Sequence, residues 1–172
     1  MENSAHFNKG NRTDIAFVFS VPGQEEEKNN IPVSGQTGKN LDTLLKFLKI
    51  NPIDKYEYRI TNSYDKVLYK AKHGKTEASV EDIQESKNIE RLIEELKDIE
   101  KYIIFFGDKA MSASIYLTSL KAKFIFCKHL GLQSINQIDR DKEGNILLPK
   151  KPGNTEKRLD LLADYIKQQM CD

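Results

Sequence analysis

The hydrophobic pattern of this chain alternates between short apolar runs and longer amphipathic stretches. Short runs rich in β-branched and aromatic residues are typical of strands buried on both faces of a parallel sheet. Four runs predict such strands, at residues 15–19, 56–61, 101–106 and 123–127. Apolar residues at helical spacing predict helices at residues 41–48, 79–99 and 110–120, and a last helix that residues 152–155 open.

This order of strands and helices predicts the α/β class, as a three-layer αβα domain with a central, mainly parallel sheet of about four strands. A length of 172 residues with 38% hydrophobic content suits one core and is too short for two comfortable domains. We therefore expect a single domain over residues 1–172. Residues 1–12 are polar and have no apolar period, so we expect a flexible tail or an edge extension there.

Composition and charge limit the setting in which the chain works. No apolar run approaches membrane-spanning length, and the N-terminus lacks the apolar core of a signal peptide. We therefore expect a cytoplasmic protein with no membrane partner. The formal net charge of +1 does not indicate a nucleic-acid partner by itself, because such a partner would require a local basic face.

The most informative stretch is residues 15–48, where a strand, a polar loop and a Leu-rich helix follow one another directly. In open α/β sheets ligands bind at the carboxyl ends of the strands, which is where this loop is expected to lie. Three consecutive glutamates, residues 25–27, are expected to stand in the loop rather than on a helix face. Taken alone, they are most simply a solvated charge run.

A characteristic order of residues follows the first strand: Val21-Pro22-Gly23, Glu25-Glu26-Glu27, Pro32, Gly35, Gly38 and the Leu-rich segment 41–45. This order resembles the first motif of the uracil-DNA glycosylase superfamily, above all its thermostable iron–sulfur branch. In that motif a small residue, Pro and Gly end the strand, acids follow, and Pro, an aromatic residue and two glycines lead into the helix.

The second predicted strand ends in Thr61-Asn62, which matches the second landmark of the superfamily. The resemblance implies that Asn62 reads the edge of a pyrimidine, because its amide carries a hydrogen-bond donor and an acceptor side by side. The alternative is that Asn62 only ends the strand or starts a turn, as asparagine often does.

His129 follows the predicted strand 123–127, at the place of the superfamily's second catalytic motif, commonly His-Pro-Ser. The match is partial, because Leu130-Gly131 replaces Pro-Ser and Ser134 stands five residues after the histidine. The resemblance implies that His129 stabilises the negative charge of a departing pyrimidine. Leu130 and Leu132 are candidates for the wedge that replaces a flipped base, and they could equally belong to the core.

Three departures from the family pattern limit what the resemblance implies. The sequence contains Cys127 and Cys171 and no other cysteine, so a four-cysteine iron–sulfur cluster cannot form, and we expect no cofactor and no metal. Val21 occupies the place where many relatives carry an Asp or Asn that orients water. Gly23 stands where uracil-specific members have Tyr, and Val33 replaces the usual stacking Phe, so the pocket could be roomier than a uracil pocket.

The resemblance implies a DNA glycosylase that flips a uracil or modified pyrimidine out of DNA and hydrolyses its N-glycosidic bond. Glu26, which aligns best with an acid of the thermostable branch, would position or activate water, and His129 would stabilise the leaving base. Asn62 would bind the base together with Pro22, Gly23 and Val33. The alternative is a binding protein of the same fold, with weakened chemistry, that recognises DNA or a nucleotide.

Basic residues provide the expected DNA face of a monomeric protein. The lysines between residues 66 and 75 are interleaved with tyrosines, a pattern suited to phosphate contact, although a surface hairpin would look the same. The other expected DNA contacts are Lys128, Leu130, Leu132, Ser134, Lys150 and Lys151.

Overall fold

The computed structural model describes residues 2–172. Its strands are Phe7–Asn8 (β1), Ile15–Phe19 (β2), Arg59–Asn62 (β3), Tyr102–Phe106 (β4) and Lys123–Cys127 (β5). Within the described range they form one sheet in the order β1-β3-β2-β4-β5. Strands β2 to β5 run parallel, and β1 pairs antiparallel with β3 at one edge.

Helices cover both faces of this sheet. They are Gln24–Asn29 (α1), Gln36–Leu48 (α2), Lys70–His73 (α3), Val80–Gln84 (α4), Ser86–Leu96 (α5), Asp108–Met111 (α6), Leu132–Ile135 (α7) and Asn154–Cys171 (α8). Successive strand residues point to opposite faces, so two hydrophobic cores form. Phe17 and Ile104 pack with α2 and α8 on one face, and Val18 and Phe105 pack with α4 and α5 on the other.

The predicted three-layer αβα fold with a mainly parallel sheet is therefore confirmed, with one strand more than the four predicted. The additional strand comes from the N-terminal segment. Phe7 pairs with Thr61, and the side chain of Asn8 donates to the carbonyls of Tyr56 and Tyr58 at 2.9 Å each. The expectation of a flexible tail is wrong for Phe7–Asn8, which form an edge extension of the sheet. A strand of two residues is too short for a period to reveal it.

Local capping accounts for a shift in the start of the second predicted strand. The carboxylate of Asp54 accepts from the backbone N–H of Tyr56, which closes a 3₁₀ turn over Lys55–Glu57. The strand predicted over residues 56–61 therefore begins at Arg59. It reaches Thr61 and Asn62 as predicted.

Two predicted helices are shorter than their apolar spacing indicated. The stretch 79–99 forms α4 and α5 instead of one helix, because Glu85 between them has an extended ψ of 134°. The stretch 110–120 contains the end of α6 and a 3₁₀ turn over Ser114–Tyr116. Both segments still bury most of their apolar residues against the sheet, although Ile115 and Tyr116 are exposed.

A buried carboxylate ties the N-terminal edge to the middle of the fold. Glu95 on α5 is 3% exposed, and its Oε2 accepts from Thr61 Oγ1 at 2.5 Å and from Arg91 at 2.6 Å. Its Oε1 lies 3.1 Å from Nε2 of His6. The charge of Glu95 is therefore compensated inside the protein.

Replacing this carboxylate should weaken the fold in a pH-dependent way. Glu95→Gln should lower the free energy of unfolding at neutral pH, toward the lower end of the about 3–5 kcal/mol that loss of one partner of a buried pair costs, since Arg91 retains some solvent contact. Burial raises the pKa of Glu95, but the hydrogen bond from His6, the charge of Arg91 and the hydroxyl of Thr61 outweigh it and hold that pKa below its ordinary 4.5.

Ionised Glu95 thus stabilises the fold above about pH 4.5, and this contribution is lost as the pH falls through its lower folded pKa. Denaturant titrations of the wild type and Glu95→Gln should differ at neutral pH and converge in acid. Glu90→Gln, an exposed neighbour on the same helix, should change neither curve. A constant difference across the pH range would contradict this account.

Candidate active site

A cavity of about 260 Å³ opens where the parallel strands end. Its volume is just below the range of about 300–1,000 Å³ typical of ligand pockets, which suits a single ring system rather than a dinucleotide. The cavity brings together five residues that the sequence singled out: Gly23, Glu26, Val33, Asn62 and His129. The other residues that line it are Phe19, Ser20, Val21, Thr37, Leu68, Tyr69, Thr76 and Glu77.

The three glutamates lie in the first turn of α1, so the prediction that they stand in a loop is wrong. Gly23 caps this helix, and acidic side chains in a first turn interact favourably with the helix dipole. Successive residues of a helix point in different directions. As a result Glu26 faces the cavity, while Glu25 and Glu27 are exposed.

Glu26 holds the turn around the cavity with both of its carboxylate oxygens. Oε2 accepts from the backbone N–H of Gly23 at 2.9 Å. Oε1 accepts from the N–H groups of Ser34 at 3.0 Å and Gly35 at 3.2 Å. A carboxylate offers about four acceptor positions, so three are occupied and one remains for a water or a substrate group.

Glu27 is engaged on the outside of the cavity. Its carboxylate accepts from Lys72 at 2.7 Å and from the hydroxyl of Tyr69 at 2.8 Å. These hydrogen bonds, that of Lys72 first, hold the pKa of Glu27 below its ordinary value. Through them Glu27 ties α1 to the segment of residues 68–77, which covers one side of the cavity.

Asn62 ends β3, and the oxygen of its side-chain amide has no hydrogen-bond partner inside the described protein. Among residues 2–172, its Oδ1 is the one buried side-chain polar atom without a hydrogen-bond partner. An orphaned buried acceptor costs about 1–3 kcal/mol, so its presence points to a ligand group. The backbone around it is well held, since the carbonyl of Asn62 accepts from Arg91 at 3.0 Å. The amide therefore faces the cavity ready to bind a group that donates and accepts.

His129 is oriented by the backbone that follows it. Its Nδ1 accepts from the N–H of Gly131 at 2.9 Å, so the ring proton belongs on Nε2. Burial lowers the pKa of His129 below its ordinary 6.5, which keeps the ring neutral at physiological pH. The ring thus presents a neutral Nε2–H to the cavity, a donor suited to oxygen on which negative charge develops.

Two glycines leave room for this ring. A Cβ on Gly131 would lie 2.9 Å from Nδ1 of His129, and one on Gly107 would lie 3.0 Å from the Cβ of His129. Gly107 also has a φ of +89°, which other residues rarely adopt. The Gly131 that replaces Ser of the family motif is therefore the residue that fixes the imidazole in this protein.

Val33 forms a wall of the cavity in an uncommon backbone conformation. Its φ is +46°, a genuine outlier for a β-branched residue, and it is 4% exposed. Its carbonyl lies against Gly38, where a Cβ would come within 1.6 Å of the oxygen. The close approach of α2 therefore holds Val33 in place, and Gly38 is required for it.

Several predicted contacts lie outside the cavity. Pro22 is buried and does not line it; its carbonyl accepts from the N–H of Leu68 at 2.9 Å. Leu130 is fully buried in the core, so the wedge role is wrong for it in this structure. Leu132, the other candidate for the wedge, is 42% exposed. Lys128 donates to Gln137, and Ser134 lies on α7.

A second, basic groove contains three of the predicted DNA contacts, whereas the lysines between residues 66 and 75 lie outside it. Leu132 lines it with Lys150 and Lys151, which are exposed, and Lys39 on α2 adds a third lysine. Thr37, one turn or less from Lys39 on the same helix, lines the cavity. The groove and the cavity are therefore neighbours, separated by the N-terminal turn of α2.

Sequence reasoning did not assign five polar residues to the cavity: Ser20, Thr37, Tyr69, Thr76 and Glu77. Ser20 directly follows β2, so its position at a strand end was an available signal. Tyr69 and Glu77 lie in a segment whose lysines give the stronger sequence signal. No motif marks Glu77, and only the return of this segment over the strand ends brings it to the cavity.

The cysteines do not suit the iron–sulfur cluster of the thermostable branch. Cys127 is buried at the end of β5 and Cys171 is exposed at the end of α8, and burial raises the pKa of the Cys127 thiol to about 12. In the part of the chain that the structure describes, no group of three His, Cys, Asp or Glu residues could hold a metal ion. None of the described helices is long and apolar enough to cross a membrane.

Comparison with known proteins gave one family. The model of the uracil DNA glycosylase superfamily matches residues 7–157 of the chain. The matched range extends from β1 into α8 and includes every residue that lines the cavity. No individual curated protein matches the chain.

Gly131→Ala should disturb the protonation of His129 without unfolding the protein. The added methyl group would push the imidazole away from the N–H of residue 131 and so break the hydrogen bond to Nδ1. A ring that moves toward water is less desolvated, which raises its pKa. NMR titration of the imidazole should therefore give a higher pKa in the variant than in the wild type.

The matched control is Gly35→Ala, whose added Cβ meets its nearest neighbours at 3.6–3.7 Å, an ordinary contact. It should leave the titration of His129 unchanged. An imidazole that titrates alike in wild type and Gly131→Ala would mean that Gly131 does not fix the ring.

Proposed function

The chain belongs to the uracil DNA glycosylase superfamily, and we propose that it is a DNA glycosylase that flips a pyrimidine out of DNA and hydrolyses its N-glycosidic bond. The observation that carries this proposal is the set of groups around the cavity. An unpartnered amide, a neutral imidazole and a fixed carboxylate, those of Asn62, His129 and Glu26, line one cavity of the size of a base.

Asn62 would bind the edge of the flipped base. Its amide can accept from a ring N–H and donate to a neighbouring carbonyl, which is the pattern that uracil presents. The orphaned Oδ1 supports this role, because the flipped base would supply the donor that the protein lacks. A base with a different edge would leave one of these groups unpaired and bind less well.

His129 would act on the leaving base. As the glycosidic bond breaks, its electron pair moves onto the base, and negative charge accumulates on the carbonyl oxygen beside the bond. The Nε2–H of a neutral imidazole can donate to that oxygen. A preorganised donor of this kind acts mainly in the transition state, so it raises the rate more than the affinity.

Glu26 would place its negative charge beneath the sugar. Its one open acceptor position can bind the attacking water, and its charge favours the cationic sugar that forms as the base departs. The three backbone N–H groups keep the carboxylate from turning away during the reaction.

The substrate would be uracil or a pyrimidine with a substituent at C5. Gly23 provides no side chain at the cavity wall, and a Cβ there would meet Glu26 Oε2 at 3.2 Å. Val33 is smaller than the aromatic residue that the family motif carries in this position. Both residues favour a pocket that tolerates a larger base than uracil.

A binding protein of the same fold is the second candidate. Val21 lines the cavity and has no polar group that could orient water. The carboxylate of Glu26 uses three of its about four acceptor positions for backbone N–H groups. These observations favour recognition of a flipped base without cleavage. The two candidates differ in one measurable outcome, the appearance of abasic sites.

The test of the proposal is to incubate the protein with oligonucleotides that carry uracil or a panel of C5-modified pyrimidines and then to cleave abasic sites with alkali. At least one base should be excised. His129→Ala should lower the single-turnover rate on the order of a hundredfold, with little change in DNA affinity, because loss of one preorganised donor typically has this effect.

His73 provides the matched control, since it is exposed on α3 and does not line the cavity. His73→Ala should retain the wild-type rate. Binding without excision of any base would favour the second candidate, and a full rate in His129→Ala would remove the histidine from the mechanism.

The basic groove should bind the phosphate backbone beside the flipped nucleotide. Replacing Lys150 and Lys151 together by Ala should weaken DNA binding and reduce the slope of log K against log salt by up to about two, since each lost phosphate contact reduces it by about one. Binding measured across a salt series tests this. An unchanged affinity and slope would place the DNA elsewhere.

A further inference from the structure

The cavity contains a second carboxylate that the roles described above do not use. Glu77 lies at the end of the segment of residues 68–77, opposite the strand ends, and lines the cavity together with Glu26. The two carboxylates differ in how much of their bonding capacity is free. Glu26 gives three acceptor positions to backbone N–H groups, whereas the hydrogen bond of Glu77 is a single contact of 3.3 Å from the hydroxyl of Ser20.

We propose that Glu77 is the base that takes the proton from the attacking water, while Glu26 fixes the turn and stabilises the sugar. This inference rests on the proposed glycosylase function and assigns a residue within its site. A base must be able to accept a proton without breaking the structure that holds it. Protonation of Glu26 would compete with three backbone donors, whereas protonation of Glu77 leaves the Ser20 contact possible in either direction.

Ser20 positions the Glu77 carboxylate. It is 3% exposed at the end of β2, and its carbonyl accepts from the N–H of Tyr64 at 3.0 Å and from the hydroxyl of Ser63 at 2.9 Å. The serine is therefore fixed to the neighbouring strand end, and its hydroxyl can direct a carboxylate toward the cavity. The Glu77 side chain is exposed, so water can reach it.

The electrostatic surroundings of Glu77 favour binding of a proton. Although the side chain as a whole is exposed, the cavity partly encloses its carboxyl group, and this desolvation raises the pKa of Glu77 above its ordinary 4.5, against the opposing effects of the Ser20 hydrogen bond and the charge of Lys109 on α6. A carboxylate with a raised pKa binds a proton more readily, which is what a general base requires. The other titratable groups that face the cavity are Glu26, Tyr69 and His129.

The step balances with water as the one co-reactant. The water oxygen forms a bond to C1′ of the deoxyribose as the bond from C1′ to the base nitrogen breaks, and the electron pair of that bond leaves with the base. One water proton passes to the carboxylate of Glu77. The proton then leaves for solvent or the departing base, which yields the free base, an abasic sugar and ionised Glu77.

The experiment compares Glu77→Gln with wild type on whichever base the wild type excises. Glutamine preserves the shape of the side chain and can still accept from Ser20, but it cannot take a proton. The single-turnover rate should fall by about a hundredfold or more, within the range of 10²–10⁴ typical of general acid–base catalysis, at unchanged DNA affinity and thermal stability. Glu81→Gln, an exposed residue on α4 outside the cavity, is the matched control.

Glu26→Gln should behave differently, because an amide carries a donor on one side. Its NH₂ group would meet the N–H of Gly23 or those of Ser34 and Gly35, so two donors would face each other. This variant should lose thermal stability together with activity. Of these two glutamine variants, only Glu77→Gln is thus expected to lose activity while it keeps full thermal stability.

The pH profile supplies a readout that a structural role would not change. The wild-type rate should fall in acid as Glu77 becomes protonated, and this limb should be absent from Glu77→Gln. Added formate should partly restore the rate of Glu77→Ala, since a small carboxylate can occupy the vacated space.

An active wild type whose rate and pH profile survive Glu77→Gln would overturn this inference and leave the proposed function intact. A wild type that excises no base would overturn both.

Discussion

The wall of the cavity depends on three backbone N–H groups, located in two turns, that need a hydrogen-bond acceptor. The chain leaves β2, turns at Gly23, forms α1 and turns again at Ser34 and Gly35 before α2 begins. The carboxylate of Glu26 accepts from both turns and so keeps the two ends of this loop together. Since hydrogen bonds to a charged acceptor are roughly twice as strong as neutral ones, a single side chain can hold the wall of a site.

A second set of contacts holds the backbone around Asn62, whose side-chain oxygen has no hydrogen-bond partner. Arg91 and Asn88 on α5 bind the carbonyls of residues 62 and 63, and Arg91 also binds the buried Glu95. Glu95 in turn accepts from Thr61 and contacts His6. The backbone on each side of the asparagine is thus fixed, so its amide can remain without a partner until a ligand arrives.

Much of the fold could be predicted from the sequence because it is written in local patterns. The strands at residues 15–19 and 123–127 have the predicted bounds, since each is a compact apolar run between polar turns. The bounds of β3 and of α4 and α5 could not be predicted, because a capping carboxylate at Asp54 and a single extended residue at Glu85 decide them.

The site divides in the same way. Residues at strand ends, such as Asn62 and His129, could be placed because parallel strands end at one edge of the sheet. Glu77 and the Val33–Gly38 contact could not, since both depend on how segments distant in sequence return over that edge.

The hydrogen bonds of Glu27 with Tyr69 and Lys72 join α1 to the segment of residues 68–77, which covers one side of the cavity. Leu68 and Ala78 are buried at the two ends of this segment, whereas Lys72 and Glu27, which hold its middle, are exposed. An exposed ion pair contributes little to stability and weakens as salt screens it. Higher ionic strength should therefore weaken the contact between this segment and α1, which lies beside the cavity.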